Sequence, residues 1–286
     1  MEQYIDLIRK VVTEGVEKTD RTGTGTISIF GHQSVYDVSK TFPLLTAKNT
    51  YQNGFIVELL WFIGVHMKDS RYSSLSRTNI KYLVDNNVNI WNEWPHKAMI
   101  DYQRQATDTI NKEHNQNLAY PTPISLADFK ERIKNEKGFA EKWGDLGPVY
   151  GKQWRQWQGW MDYTDSSGKT GKGSLWFDQL LMAIQTLKTR PDDRGIIVSA
   201  WNVAELREMA LRPCHTMFQF NTEPIPFMER MKIYESMFEV DTDDVKTEEK
   251  LDERKIPKYK LSLLLYQRSA DVFLGVPFLA LSSLRI

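Results

Sequence analysis

Apolar residues near the start of the chain recur at helical spacing. Ile5, Ile8, Val12 and Val16 share a face, so residues 2–18 predict an amphipathic helix. The glycines and threonines of DRTGTGT, Asp20 to Thr26, predict a loop. ISIFGHQSVYDV follows, rich in β-branched and aromatic residues and broken at Gly31, and predicts two strands or one bent strand. GFIVELLWFIGV, residues 54–65, is apolar on nearly every side and predicts a helix enclosed by the core. Its one acid, Glu58, is expensive to bury without a partner. Further on, SLWFDQLLMAIQTLKTRP predicts a helix stopped by Pro191. GIIVSAW reads as a buried strand, and TMFQFNT and KLSLLLYQR as two more.

Two stretches break this pattern. Residues 95–141 are mainly polar, carry Pro121 and Pro123, and read as an insertion with some helix near ADFKERIKNEK. Residues 222–258, with EVDTDDVKTEEKLDERK, read as a solvated excursion. There is no internal repeat and no low-complexity tract. Strands and helices mix without a regular βαβ alternation, so the expected class is α+β, or irregular α/β.

Composition narrows the function. Lys+Arg and Asp+Glu each number 37 in 286 residues, giving a net charge near zero. That argues against a generalised electrostatic nucleic-acid binder. One cysteine excludes an intrachain disulfide framework and a Cys-rich zinc site. No apolar run reaches ~18 residues, the length of a membrane span. MEQYIDLIRKVV has no signal-peptide core. The expectation is a soluble, cytoplasmic protein.

Cys214, in LRPCHTMFQF, reads either as a small buried hydrophobe or as a nucleophile helped by the nearby cations Arg212 and His215. Arg21, Arg194 and Arg268 lie in loop contexts rich in glycine, serine and aspartate. They are either surface residues or a set converging on a phosphate. DRTGTGT fits neither GxxxxGK[ST] nor GxGxxG, so neither a Walker-type ATPase nor a Rossmann site is indicated. Trp91 and Trp94, in IWNEW, are either core aromatics or a stacking surface for a flat heterocycle.

Taken in order, DRTGTGTISIFG, FPLLTAK, ELLWFI, NNVNIWNEW, GDLGPVYGKQWR, RGIIVSAWNVAEL, LRPCHTMFQF and LLLYQRSADVFLGVPF resemble thymidylate synthase. The resemblance covers most of residues 1–94 and 143–284 apart from the 222–258 excursion. It implies a mixed sheet around a buried central helix and a homodimer formed through the sheet. It also implies a single family domain over 1–286 with insertions at about 95–141 and 222–258. The reaction implied is transfer and reduction of the methylene group of 5,10-methylenetetrahydrofolate onto C5 of dUMP, with no metal.

The resemblance also implies roles. Cys214 matches the cysteine that adds to C6 of uracil, Glu58 the carboxylate that organises proton transfers, and Tyr150 the tyrosine linked to proton removal at C5. Arg21, Arg194 and Arg268, with Ser269, match the phosphate-binding set, with Arg194 reaching across from the other subunit. His215 and Gln267 match polar residues of the pyrimidine site. Lys48, Trp91, Trp94 and Asp271 match positions beside the folate, with Asp271 bonding the pterin.

Four features depart from the family pattern. Gly195 stands where a second phosphate-region arginine is expected, and Asn92 where an aspartate stands between the tryptophans. Leu279 replaces an asparagine that reads the uracil edge, which puts discrimination between dUMP and dCMP in question. The chain ends before the family's His-x-Tyr pair and closing C-terminal segment. Three readings therefore stay open: a thymidylate synthase, a dUMP or dCMP hydroxymethylase of the same superfamily, and a non-catalytic or incomplete relative.

Overall fold

Gly64 closes the most apolar helix in the chain. Its φ of +79° is the left-handed conformation that ends helices, and its N–H returns to the carbonyls of Leu60 and Trp61. A computed structural model describes residues 2–19, 23–39, 51–238 and 247–276. The chain divides into two compact units: Met1–Lys152 with Val203–Cys214 and Gln267–Ile286, and Gln153–Asn202 with His215–Tyr266.

The first unit is built around α2 (Gln52–Ile63), which buries Phe55, Val57, Trp61 and Phe62, as its all-round apolar pattern predicts. Trp61 meets its one polar need by donating Nε1–H to the Asn79 carbonyl at 2.9 Å. Helix α1 (Glu2–Glu14) turns a different face inward from the one expected. Tyr4 and Leu7 are buried, whereas Ile5 and Val12 are 43% and 69% exposed. Two apolar faces about 100° apart compete on this helix, and the larger Tyr4 with Leu7 takes the core. Val16 lies beyond the helix, in β1 (Val16–Lys18), which pairs antiparallel with β2 (Thr26–Ser28). ISIFGHQSVYDV gives only that second short strand; Gly31 turns left-handed at φ +80° and Phe30 is fully exposed.

The polar stretch at 95–141 is more helical than its composition suggests. After α3 (Lys81–Asp85) come α4 (Glu93–His114), α5 (Leu126–Asn135) and α6 (Lys137–Trp143). Helix α4 carries Pro95 in its first turn, where a missing N–H is harmless, and ends on Asn115 at φ +49°. Ser125 caps α5 by accepting from the Asp128 N–H. A narrow stripe suffices to hold these helices: Met99, Phe129, Ile133 and Ala140 are all buried. With Pro95, Thr107 and Phe139 they make up the buried stripe, and most of each helix is solvated, which is why the segment reads as an insertion. Helix α7 (Tyr150–Arg155) follows.

In the second unit, β3 (Trp157–Thr164) and β4 (Thr170–Phe177) form an antiparallel hairpin in register from Trp157 opposite Phe177 to Thr164 opposite Thr170. SLWF, expected to open a helix, is the end of β4. Asp178 then caps α8 (Gln179–Thr189) by accepting from the Leu181 N–H. Strands β5 (Ile197–Ser199), β6 (His215–Pro224) and β7 (Tyr259–Gln267) form a sheet with β6 in the middle. Along β6, Thr216, Phe218 and Phe220 alternate inward. Phe218 meets Trp154 edge-on at 5.4 Å.

The 222–258 excursion also corrects its sequence reading. It contains α9 (Phe227–Phe238) and α10 (Glu248–Glu253), with Tyr234, Leu251 and Ile256 in a small apolar cluster. Arg230, 3% exposed, bonds the carbonyls of Ile256 and Pro257 and the carboxylates of Asp252 and Glu248. The charge run EEKLDERK is thus partly an internal partner of one arginine.

Candidate active site

The first unit gathers five of the expected residues into a connected group. Glu58 projects from α2, and its Oε1 accepts the Trp91 Nε1–H at 2.6 Å. Trp91 is buried against Trp61 and Phe62, so it is a core aromatic, and the same side chain holds the acid. The Phe62 ring lies 4.8 Å from the ring of Tyr150, the first residue of α7. The Tyr150 hydroxyl accepts the Cys214 backbone N–H at 2.8 Å. The Cys214 carbonyl in turn accepts the Arg268 N–H, and the Arg268 guanidinium bonds the Pro213 and Arg212 carbonyls at 2.9 Å each.

The electrostatics follow from this packing. Although Glu58 keeps partial exposure, desolvation raises its pKa from 4.5 to about 7 against the opposing Trp91 bond. Glu58 therefore exchanges its proton near neutrality, as a general acid or base must. It also lines a cleft of about 200 Å³ with Tyr51, Phe55, Val88, Asn89 and Ile90. A Cβ on Gly54 would stand 2.6 Å from the Tyr51 ring, so any larger residue at that wall would push Tyr51 aside. Sequence reading did not single out these wall residues; the NNVN run before IWNEW was the available signal.

Gln267, at the end of β7, is half-buried, and its Nε2 is enclosed with no hydrogen-bond partner among the described residues. A buried amide donor without an acceptor suits a ligand carbonyl. Ser269 is exposed nearby in sequence. Asp271 is exposed, and its Oδ1 accepts the N–H groups of Phe273 and Leu274, capping the turn that follows. Trp94 sits half-buried in the first turn of α4.

Two expected site residues belong to the second unit. Arg194 is exposed, and its carbonyl accepts from Gln219 Nε2 at 2.7 Å. His215 opens β6, and burial lowers its pKa from 6.5 to about 4, so it is a neutral imidazole at pH 7. Arg21, Lys48 and Leu279 lie outside the described residues.

Comparison with known proteins gives a consistent answer. A family model described as thymidylate synthase matches residues 2–284. The chain is 42% identical to a thymidylate synthase of Mycoplasma mobile over 278 residues, which is 97% of this chain and 69% of that protein. It is 38% identical to one of Mycoplasma genitalium, covering 97% of this chain and 70% of the relative. It is 37% identical to one of Listeria monocytogenes over 283 residues, covering 97% and 72%.

Proposed function

The chain belongs to the thymidylate synthase family, and from that premise we propose how its residues divide the work of converting dUMP and 5,10-methylenetetrahydrofolate into dTMP and dihydrofolate. The observation that carries the reading is the run of contacts from Glu58 through Trp91, Phe62 and Tyr150 to Cys214 and Arg268. An acid titrating near pH 7, a tyrosine hydroxyl, a thiol and an arginine come together from positions scattered over the first unit.

Cys214 is the nucleophile. Its Sγ adds to C6 of the pyrimidine, leaving C5 electron-rich and able to form the new carbon–carbon bond; one hard step becomes two easier ones. Tyr150 takes part in removing the C5 proton, and Glu58 relays protons at the pyrimidine carbonyl edge. Arg268 and Arg21 bind the phosphate through planar guanidinium forks, and Ser269 adds a single hydroxyl donor. Gln267 and His215 line the pyrimidine; the unpartnered Gln267 amide supports that placement. The folate supplies the one-carbon unit and the hydride, and Lys48, Trp91, Trp94 and Asp271 are its expected neighbours.

The working unit is a homodimer in which Arg194 serves the partner's phosphate site. Support comes from Leu264 and Tyr266, which share one face of β7, and from Ile197 on β5, all exposed apolar side chains of the kind that mark an interface. The family match runs across both units, which supports one catalytic domain carrying insertions at 95–141 and 222–258. Among the described residues no helix is long and apolar enough to cross a membrane, and the cytoplasm is the expected location.

Product analysis with dUMP and methylenetetrahydrofolate tests the reading. It requires dTMP and dihydrofolate in equal amounts. 5-Hydroxymethyl-dUMP with tetrahydrofolate would replace it with a hydroxymethylase, and no product would remove the catalytic reading.

A further inference from the structure

A seam within the first unit joins residues 146–152 to residues 205–214 at four points. The Leu146 carbonyl accepts the Ala210 N–H at 2.9 Å. Gly147, at φ +73°, lies so close to the Glu208 carbonyl that a Cβ would stand 2.0 Å from its oxygen. Lys152 Nζ meets Glu205 Oε1 at 2.5 Å. The Tyr150 hydroxyl meets the Cys214 N–H at 2.8 Å.

The last two contacts lie on opposite sides of α7. Successive helical residues are about 100° apart, so Tyr150 and Lys152 point about 200° apart. The single segment Val203–Cys214 must therefore wrap the helix, with Glu205 on one side and Cys214 on the other. The residue between them marks a third face: a Cβ on Gly151 would lie 3.2 Å from the Phe62 carbonyl at the end of α2. A short helix touched on one face can roll about its axis, and a roll swings a long side chain such as tyrosine through several ångströms. A helix held on three faces cannot roll without breaking a contact. The Lys152 and Glu205 side chains are only 25% and 13% exposed, so solvent screens this pair less than a surface ion pair.

We propose that Lys152 and Glu205 are positioning residues: their ion pair fixes the roll of α7 and so sets the Tyr150 hydroxyl against the Cys214 backbone for the chemical step. The proposal rests on the catalytic reading of Tyr150 given above. Neither residue touches substrate. The pair acts through Tyr150, so it affects turnover and leaves nucleotide binding alone.

A double-mutant cycle on the full chain reads this directly. Lys152→Met is expected to lower kcat about tenfold with KM for dUMP within about twofold. In a Tyr150→Phe background the same change is expected to cost less than about twofold, because the group it positions is gone. Lys152→Arg keeps the charge and should recover kcat to within about threefold of the parent. Glu205→Gln takes the place of Lys152→Met in the same cycle should that variant fail to fold. An equal fold-loss in both backgrounds would mean a general structural role and overturn the proposal, as would no loss in either. If Tyr150→Phe leaves kcat unchanged, both this proposal and the catalytic reading of Tyr150 fall; additivity alone removes only the positioning claim.

Discussion

The Trp91 indole donates its Nε1–H to Glu58 Oε1 at 2.6 Å while its ring packs against Trp61 and Phe62, so the core itself holds the acid in place. The same core desolvates the carboxyl and raises its pKa to about 7. Folded, Glu58 holds its proton more tightly than when unfolded. Its ionisation therefore costs stability, nothing below about pH 4.5 and the full amount above about pH 7. Glu58→Gln should remove a penalty of about 2–3 kcal/mol at pH 8 and almost none at pH 4. Urea denaturation of both proteins across that range checks it, and parallel curves would sink the assignment. Activity should fall by about 10²–10⁴, the usual worth of a general acid–base group.

Cys214→Ser should keep dUMP binding but lose covalent trapping of 5-fluoro-dUMP in the presence of methylenetetrahydrofolate. Mass spectrometry of the denatured protein reads the adduct. An adduct on the serine variant would show that another residue is the nucleophile.

His66, in the single turn Val65–Lys68 after α2, is 4% exposed, and neither ring nitrogen has a hydrogen-bond partner among the described residues. It packs in a triangle of rings with Tyr72 and Tyr82, and burial, with the nearby Arg77, lowers its pKa from 6.5 to about 4. Unfolded, it takes up a proton as the pH falls below about 6.5, whereas the folded form resists until about 4, so stability is lost over that window. His66→Phe should flatten the acid limb by about 2–3 kcal/mol between pH 6.5 and 4. A residual slope will remain, because His215 shifts the same way. Chemical denaturation at four or five pH values decides; an unchanged limb would contradict the burial argument.

Arg230→Met should loosen the excursion around α9 and α10. The variant removes the cation shared by Glu248 and Asp252, leaving Asp252 with Lys258 alone, a loss of about 2 kcal/mol, since both acids are partly solvated. Amide exchange should rise across residues 225–238 and 247–258. Unchanged exchange there would show that the apolar cluster of Tyr234, Leu251 and Ile256 holds the segment alone.

The proposed shared site predicts subunit complementation. A mixed dimer of Arg194→Ala and Cys214→Ala chains, each inactive alone, should recover one working site in two. A verified mixed dimer without activity would place Arg194 outside its partner's site.

What the sequence determined by itself was what local pattern and long motifs carry. The all-round apolar run made α2 a core helix, the apolar and aromatic run TMFQFNT made β6 a strand, and the family strings pointed to the family before any contact was visible. Sequence could not choose between two apolar faces of α1 a single residue apart, because only the opposing surface favours Tyr4 and Leu7 over Ile5 and Val12. It missed α4 and the excursion's helices because a stripe of few apolar residues is diluted by a solvated majority. It missed β3 and β4 because Gly159, Gly171 and Gly173 interrupt the apolar alternation, and cross-strand pairing had to supply what the pattern lacked. It left Trp91 between core aromatic and stacking surface, and could not see that the buried indole also holds Glu58. The link between Tyr150 and Cys214 spans 64 residues of chain. Such links depend on which backbone groups the folded core leaves facing each other, and that is settled only when distant segments pack.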